Sequence, residues 1–248
     1  MSGTLYGVGV GPGDPDLMTL KAVKVLKAVP VIAYIIAKSD DATKKSVART
    51  IADQFIDPGK TEIEIPIAML EDAAPGAAIY DDYAIIIAGH LDAGRDVAVL
   101  CEGDPLLYGS FMYMLERLRG DYTVETVPGV SSLGASAAAA GLPLVSRHQC
   151  LNVIPATLPR DDLQRRLAGD DAVAIFKVGR HLATLRDILR DNDRAQDAMF
   201  VERASQPTGR VMPLNDVPDG SHYFAMILVP ARSPARSNGP QMESFDDR

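Results

Sequence analysis

Cysteine is scarce in this chain of 248 residues: Cys101 and Cys150 are its only two, and they form no CxxC pair. That excludes a disulfide framework and a cysteine-built zinc site. Histidine is nearly as sparse. His90, His148, His181 and His222 fall in neither HxxxH nor HExxH spacing, so a protein-bound metal is not expected. Positive charge is in deficit, with 25 Lys and Arg against 33 Asp and Glu and a formal net charge of −8. A general nucleic-acid binder needs the opposite surplus to neutralise phosphates. An anionic small substrate stays compatible, because a local basic pocket can sit inside an acidic protein. No apolar run approaches the roughly 18 residues that a membrane span requires. The opening stretch MSGTLYGVGVGPG has no basic region followed by an apolar core, so it does not read as a signal peptide, and the cytoplasm is the expected compartment.

What the chain does have is ordinary globular material, 47% apolar and 23% charged, enough to bury a substantial core. Short β-branched runs alternate with amphipathic stretches, which predicts an α/β protein of βαβ units with mostly parallel strands. Strands are predicted over 4–10, 29–35, 96–101 and 123–127, with helices over 43–55, 79–93, 108–118 and 131–140. A further helix carries Leu20, Val23, Val25 and Leu26, with Asp16 or Thr19 as its cap, and Gly94 closes the helix over 79–93. A second α/β series follows: strands over 151–154, 172–177, 198–201 and 223–229, with helices over 161–167 and 181–189. Two α/β domains are expected, residues 1–124 and 125–230, followed by a tail over 231–248 whose Ser, Pro, Arg and Asp content without periodicity predicts disorder.

Three turns carry candidate chemistry. Residues 7–13 read GVGVGPG, and neither Gly7 nor Gly9 opens a GxGxxG register, because the sixth positions are Pro12 and Asp14. No GK followed by Ser or Thr completes a Walker A loop either. The glycines still require a close approach of backbone to something after the first strand, and Pro12 stiffens the loop. That something is a ligand or simply a tight strand-to-helix turn. Residues 101–110, CEGDPLLYGS, place a polar turn directly after an apolar strand, where ligands of open α/β sheets bind. Asp104 there is either a ligand contact or a helix N-cap. Residues 127–132, VPGVSS, set Ser131 and Ser132 at a helix N-terminus, suited to a carboxylate or to plain capping.

The order of these stretches, followed by FKVGRH and VERASQP, resembles the tetrapyrrole methylase family over roughly residues 3 to 230. Within it, AGRDVAVLCEGDPLLYGSFMY, IPATLP and FKVGRHL are most similar to the branch that methylates precorrin-2 at C-20. The resemblance implies two α/β domains of the class III methyltransferase type with the active site in the cleft between them, S-adenosylmethionine as cosubstrate, and a homodimer. Carried over by position, Pro12, Glu102, Gly103, Asp104, Leu107, Ser131, Ser132, Lys177, Ala204 and Ala225 would contact the cosubstrate. Many relatives read ADVVAYPAAK after the second strand. Here AVPVIAYIIAK departs at Pro30 and Ile35, which leaves only Tyr34 with a carried-over role there, towards the substrate.

The implied reaction methylates C-20 of precorrin-2 or of its cobalt-containing counterpart. The attacking carbon is enamine-like and needs positioning more than a nucleophilic side chain. Tyr223, just before the apolar run FAMILV, is the candidate for steering proton loss, with a strand-end packing role as the alternative. The eight carboxylates of precorrin-2 call for cationic partners, for which Arg147, His148, Lys177, Arg180, His181 and Arg203 flank the motif turns. Lys21, Lys24 and Lys27 read instead as the solvated face of the first helix. The competing readings are a methylase of another ring carbon or of uroporphyrinogen III, a non-catalytic module for an anionic ligand, and a dinucleotide oxidoreductase already weakened by the failed glycine registers.

Overall fold

The computed structural model describes residues 1–37, 45–67, 73–218 and 224–232. Two compact units result. The first comprises Met1–Ala139 together with Arg203–Arg210, and the second comprises Ala140–Glu202 and the chain from Val211 onward.

The first unit is a five-stranded, wholly parallel sheet in the order β3-β2-β4-β1-β5. Its strands are β1 (Leu5–Gly9), β2 (Val31–Ala37), β3 (Thr61–Ile67), β4 (Val97–Cys101) and β5 (Val124–Val127). Strand β4 is buried along its whole length, as a near-continuous apolar run should be when helices cover both faces. Its alternate side chains divide accordingly. Val97, Val99 and Cys101 face α3 (Ala73–Asp92) and α4 (Phe111–Leu118), whereas Ala98 and Leu100 face α1 (Leu20–Ala28) and α2 (Val47–Ile51). Helix α4 presents Phe111, Met114 and Leu118 to the sheet at helical spacing. Phe111 is fully buried because Gly7 lies under it: a Cβ on Gly7 would stand 2.3 Å from the Phe111 ring.

Local caps explain where the helices begin and end. Thr19, not Asp16, caps α1, its hydroxyl accepting from the Ala22 N–H at 3.1 Å. Gly94, at φ +73°, closes α3 through its N–H to Leu91 O. Helix α2 is shorter than the stretch 43–55 predicted for it, running from Val47 to Ile51 (residues 43 and 44 lie outside the described residues).

The second unit holds a mixed sheet in the order β6-β7-β10-β8-β9. These are β6 (Leu151–Pro155), β7 (Ala172–Phe176), β8 (Met199–Glu202), β9 (Arg210–Pro213) and β10 (Ala225–Val229). Strands β6 and β7 are parallel, but β10 runs antiparallel to both β7 and β8, so the mostly parallel pattern expected from the sequence holds only for the first unit. Helices α6 (Arg160–Leu167) and α7 (Leu182–Asp191) pack Leu163, Leu167, Leu185 and Ile188 on this sheet. Among the described residues no helix is long and apolar enough to cross a membrane.

The division expected between residues 124 and 125 falls inside β5, which is hydrogen-bonded to β1 along its length. The first unit therefore continues to Ala139 and takes in α5 (Ser132–Ala140) almost entirely. Of the tail predicted over 231–248, residues from 233 onward lie outside the described residues.

Candidate functional site

Strands β4, β1 and β5 are parallel neighbours, so the turns that follow them open along one edge of the sheet, the edge at which open α/β sheets bind ligands. The three turns approach one another backbone to backbone. A Cβ on Gly9 would lie 2.6 Å from Gly129 N and 2.7 Å from Gly103 O. One on Gly129 would lie 2.0 Å from Gly103 O and 2.9 Å from Gly9 Cα. Gly103, at φ +65°, exchanges hydrogen bonds with Gly11, its N–H reaching Gly11 O at 2.8 Å and its carbonyl accepting from Gly11 N–H at 3.4 Å. The close approach that the glycine loop demanded is thus met, in the protein itself, by the backbone of the two neighbouring turns.

Asp104 reinforces this junction. One carboxylate oxygen accepts from Leu106 N–H at 2.9 Å and the other from Gly129 N–H at 3.1 Å, linking the turn after β4 to the turn after β5. It does not cap α4, which starts at Phe111 after Ser110. Ser131 does act as a cap, its hydroxyl accepting from Gly134 N–H at 3.4 Å at the start of α5. Ser132 opens that helix, and its N–H lies 3.4 Å from where a Cβ on Gly103 would stand. Leu107 sits in the turn, its N–H donating to Asp104 O at 3.4 Å.

Glu102 has work of its own, accepting the Ala48 N–H at 3.1 Å in the first turn of α2. Burial pushes its carboxyl above the ordinary value of 4.5, opposed by hydrogen bonds from its own and Ala48 backbone. A raised carboxyl means that the folded chain binds more protons than the unfolded one in the window above 4.5, so stability falls as pH rises through it. Glu102→Gln keeps an oxygen for Ala48 and loses the titration. We expect it to melt at a higher temperature than the parent at neutral pH, with the difference closing below pH 4.5. A parent that outlasts the variant at neutral pH would contradict this. The adjacent Cys101 is no nucleophile: burial beside the Glu102 carboxylate pushes its thiol up to about 12.

Pro12 is buried in the glycine loop. Residues 203–210 return to that loop. Ser205 Oγ accepts from Asp14 N–H at 3.2 Å, and Ala204, 8% exposed, brings its carbonyl to 3.2 Å from the position of a Gly13 Cβ. The first unit therefore gathers Pro12, Glu102, Gly103, Asp104, Leu107, Ser131, Ser132 and Ala204 around the ends of β1, β4 and β5.

The other sequence-derived candidates are divided between the two units, each in its own. Tyr34 is buried on the α1–α2 face of the sheet, where its hydroxyl donates to Glu64 Oε1 at 3.2 Å. Burial, with Glu62 and Glu64 alongside, pushes its phenol far above the ordinary value, so it stays protonated. Arg203, at φ +50°, donates to Thr208 Oγ1 at 3.4 Å. Lys177, exposed and at φ +59°, follows β7 in the second unit, and Arg180 lies in the short turn Gly179–His181. Arg147 and His148 are exposed at the start of that unit, and Ala225 opens β10 opposite Glu202. Tyr223 lies outside the described residues. Gly9 and Gly129 stand in the motifs that the sequence offers, and Ser205 and Gln206 in VERASQP, but none of the four carried a site role there. The signal for Gly129 was present in VPGVSS, but spacing alone cannot distinguish a turn glycine from one pressed against another backbone.

Residues 4–217 match the family of Tetrapyrrole (Corrin/Porphyrin) Methylases. The cobalamin biosynthesis protein CobIJ of Mycobacterium tuberculosis is 43% identical over 237 residues, covering 92% of this chain and 46% of that protein. The chain therefore spans about half the length of that relative. The precorrin-2 C(20)-methyltransferase of Sinorhizobium sp is 39% identical over 237 residues, 92% of this chain and 95% of that one. Among solved structures, uroporphyrin-III C-methyltransferase from Thermus thermophilus, complexed with S-adenosyl homocysteine, superposes with a TM-score of 0.67 at 26% identity, covering 92% of this chain and 97% of that chain.

Proposed function

The chain belongs to the tetrapyrrole methylase family, and from that premise we propose that it is an S-adenosylmethionine-dependent methyltransferase acting on C-20 of precorrin-2 or of its cobalt-containing counterpart. The observation that carries the reading is the 39% identity to a precorrin-2 C(20)-methyltransferase over 92% of this chain and 95% of that enzyme's length. A homodimer working in the cytoplasm completes the proposal.

The residues gathered at the ends of β1, β4 and β5 fit the methyl donor. It carries a carboxylate, an ammonium and a sulfonium at one end. The N-terminus of α5, at Ser131 and Ser132, carries the positive end of the helix dipole and suits the carboxylate. Glu102 and Asp104 supply the negative charge that its cationic groups need. Pro12, Gly103, Leu107 and Ala204 offer backbone polar groups and apolar surface around them. S-adenosylmethionine supplies, when bound, a methyl group made electrophilic by its sulfonium.

The protein's own task is to orient and to exclude water. No side chain need attack the donor, because the ring carbon is itself the nucleophile. Cys101 is buried and protonated, and the Tyr34 hydroxyl, also protonated, donates its hydrogen bond to Glu64, so neither takes part. We assign Tyr223 to steering proton loss from the methylated carbon, and Arg147, His148, Arg180 and Arg203 to the substrate carboxylates.

Anaerobic incubation with enzymatically made precorrin-2 and methyl-labelled S-adenosylmethionine, read by carbon NMR, tests the reading. Label is expected at C-20, and a parallel reaction with cobalt-factor II ranks the two substrates by rate. Label at another ring carbon would keep the family and discard the position. No transfer to either acceptor would discard the substrate.

A further inference from the structure

Residues 203–210 leave the second sheet after β8 and rejoin it at β9, yet between those points they belong to the first unit. The detour bends sharply. Arg203 and Ser205 hold φ values of +50° and +63°, the left-handed region that residues with a Cβ avoid, and they flank Ala204 on either side. Closure of the turn is accomplished by Gln206 N–H to Arg203 O at 3.0 Å and Gly209 N–H to Gln206 O at 2.8 Å. Those bonds leave two contacts unexplained, and both reach the glycine loop. Ser205 Oγ accepts from Asp14 N–H at 3.2 Å, across 191 residues of sequence. Gln206 lays its side chain against Gly13, where an added Cβ would stand 2.3 Å from Cγ.

We infer that Ser205 and Gln206 are positioning residues for the methyl donor: they dock the strained turn carrying Ala204 onto Gly13 and Asp14, so that Ala204 and the glycine loop form one face before the donor arrives. The inference rests on the proposed methyltransferase reading. Neither side chain is required to touch the donor. A face already assembled in the free protein spares the donor the entropic cost of ordering it, so the docking acts on affinity and not on the methyl-transfer step.

Two substitutions at one position separate this from a merely structural role. Ser205→Ala and Ser205→Gly both delete the hydroxyl, but glycine accepts the left-handed backbone freely whereas alanine does not. Ser205→Gly is therefore expected to be at least as stable as the parent and Ser205→Ala less so. Both are expected to bind S-adenosylhomocysteine about five- to tenfold more weakly by calorimetry, the loss of one hydrogen bond. KM for S-adenosylmethionine should rise by the same factor while kcat at saturating donor is retained, and the Asp14 amide should exchange its hydrogen faster. Gln206→Ala, which removes the Cγ packed on Gly13, and Gly13→Ala, which forces that contact apart, should each weaken binding in the same way. Were the docking only structural, affinity would follow stability and Ser205→Gly would bind as tightly as the parent. That result overturns the inference and leaves the methyltransferase reading intact, as would a fall in kcat with affinity unchanged. A parent chain that binds no S-adenosylhomocysteine overturns the reading, and the inference falls with it.

Discussion

Gly129→Ala is expected to cost the fold roughly 3 kcal/mol or more, lowering Tm by about 6–12 °C, and to abolish measurable binding of S-adenosylhomocysteine. The single added carbon would stand 2.0 Å from Gly103 O, 2.9 Å from Gly9 Cα and 3.0 Å from Gly9 C. Each of these is backbone, so no rotamer change relieves the collision. The turns after β4 and β5 must part, and in parting they surrender the Asp104 bond to Gly129 N–H and strain the paired bonds between Gly11 and Gly103. Overpacking alone costs about 1–3 kcal/mol, and each lost hydrogen bond adds about 1 kcal/mol. Gly134→Ala is the matched control. It lies in α5 a few residues later, a Cβ there meets nothing within 4 Å, and alanine should stabilise the helix by up to about 1 kcal/mol. Thermal unfolding and calorimetry on the pair decide the matter. A Gly129→Ala protein that melts and binds like the parent would mean that the three turns are not in contact.

That junction also shows which parts of the site are legible in sequence. The sequence places CEGDPLLYGS directly after an apolar strand, and the structure has it so: β4 is buried along its length and the polar turn follows it. What periodicity cannot carry is the partner of a glycine. Gly9, Gly103 and Gly129 come from three strands far apart in the chain, and their contacts follow from the strand order, which no local pattern encodes. Asp104 illustrates the same limit. Ligand contact and helix cap were the two roles open to it, and the structure gives it a third, joining two turns.

The fold divides similarly. Strands with continuous apolar runs, such as β4 and β7, stand within a residue of where the sequence puts them, because full burial leaves a strong signature. Strand β3, TEIEIPI, went unread: Glu62, Glu64 and Pro66 disguise it, and all three are tolerable only because β3 is an edge strand pairing with β2 alone. The antiparallel course of β10 was likewise hidden, since an apolar pentapeptide, AMILV, reads the same in either direction.

Arg194 is the residue whose importance the sequence conceals most completely, standing in the polar run DNDRAQD with no period around it. In the second unit it is 2% exposed. Its guanidinium donates to Gly169 O at 2.6 Å, Asp171 O at 2.8 Å and Pro230 O at 2.7 Å, joining the end of α6, the start of β7 and the end of β10. Replacing a buried ion pair by apolar residues is often harmless when both partners go. Here the partners are backbone carbonyls and cannot be replaced. Arg194→Met keeps an unbranched apolar stem and leaves three buried acceptors without donors, each worth about 1–3 kcal/mol. We expect a loss of about 3–5 kcal/mol in chemical denaturation. Arg194→Lys distinguishes geometry from charge. An ammonium retains the attraction to Asp170, Asp171 and Asp197, but it is a compact donor without the planar fork that spans three carbonyls, so it should recover only part of the loss. If lysine restored the parent's stability in full, charge would be the operative property and the three-way bridge incidental. If methionine did so, water must reach the carbonyls that the guanidinium now holds.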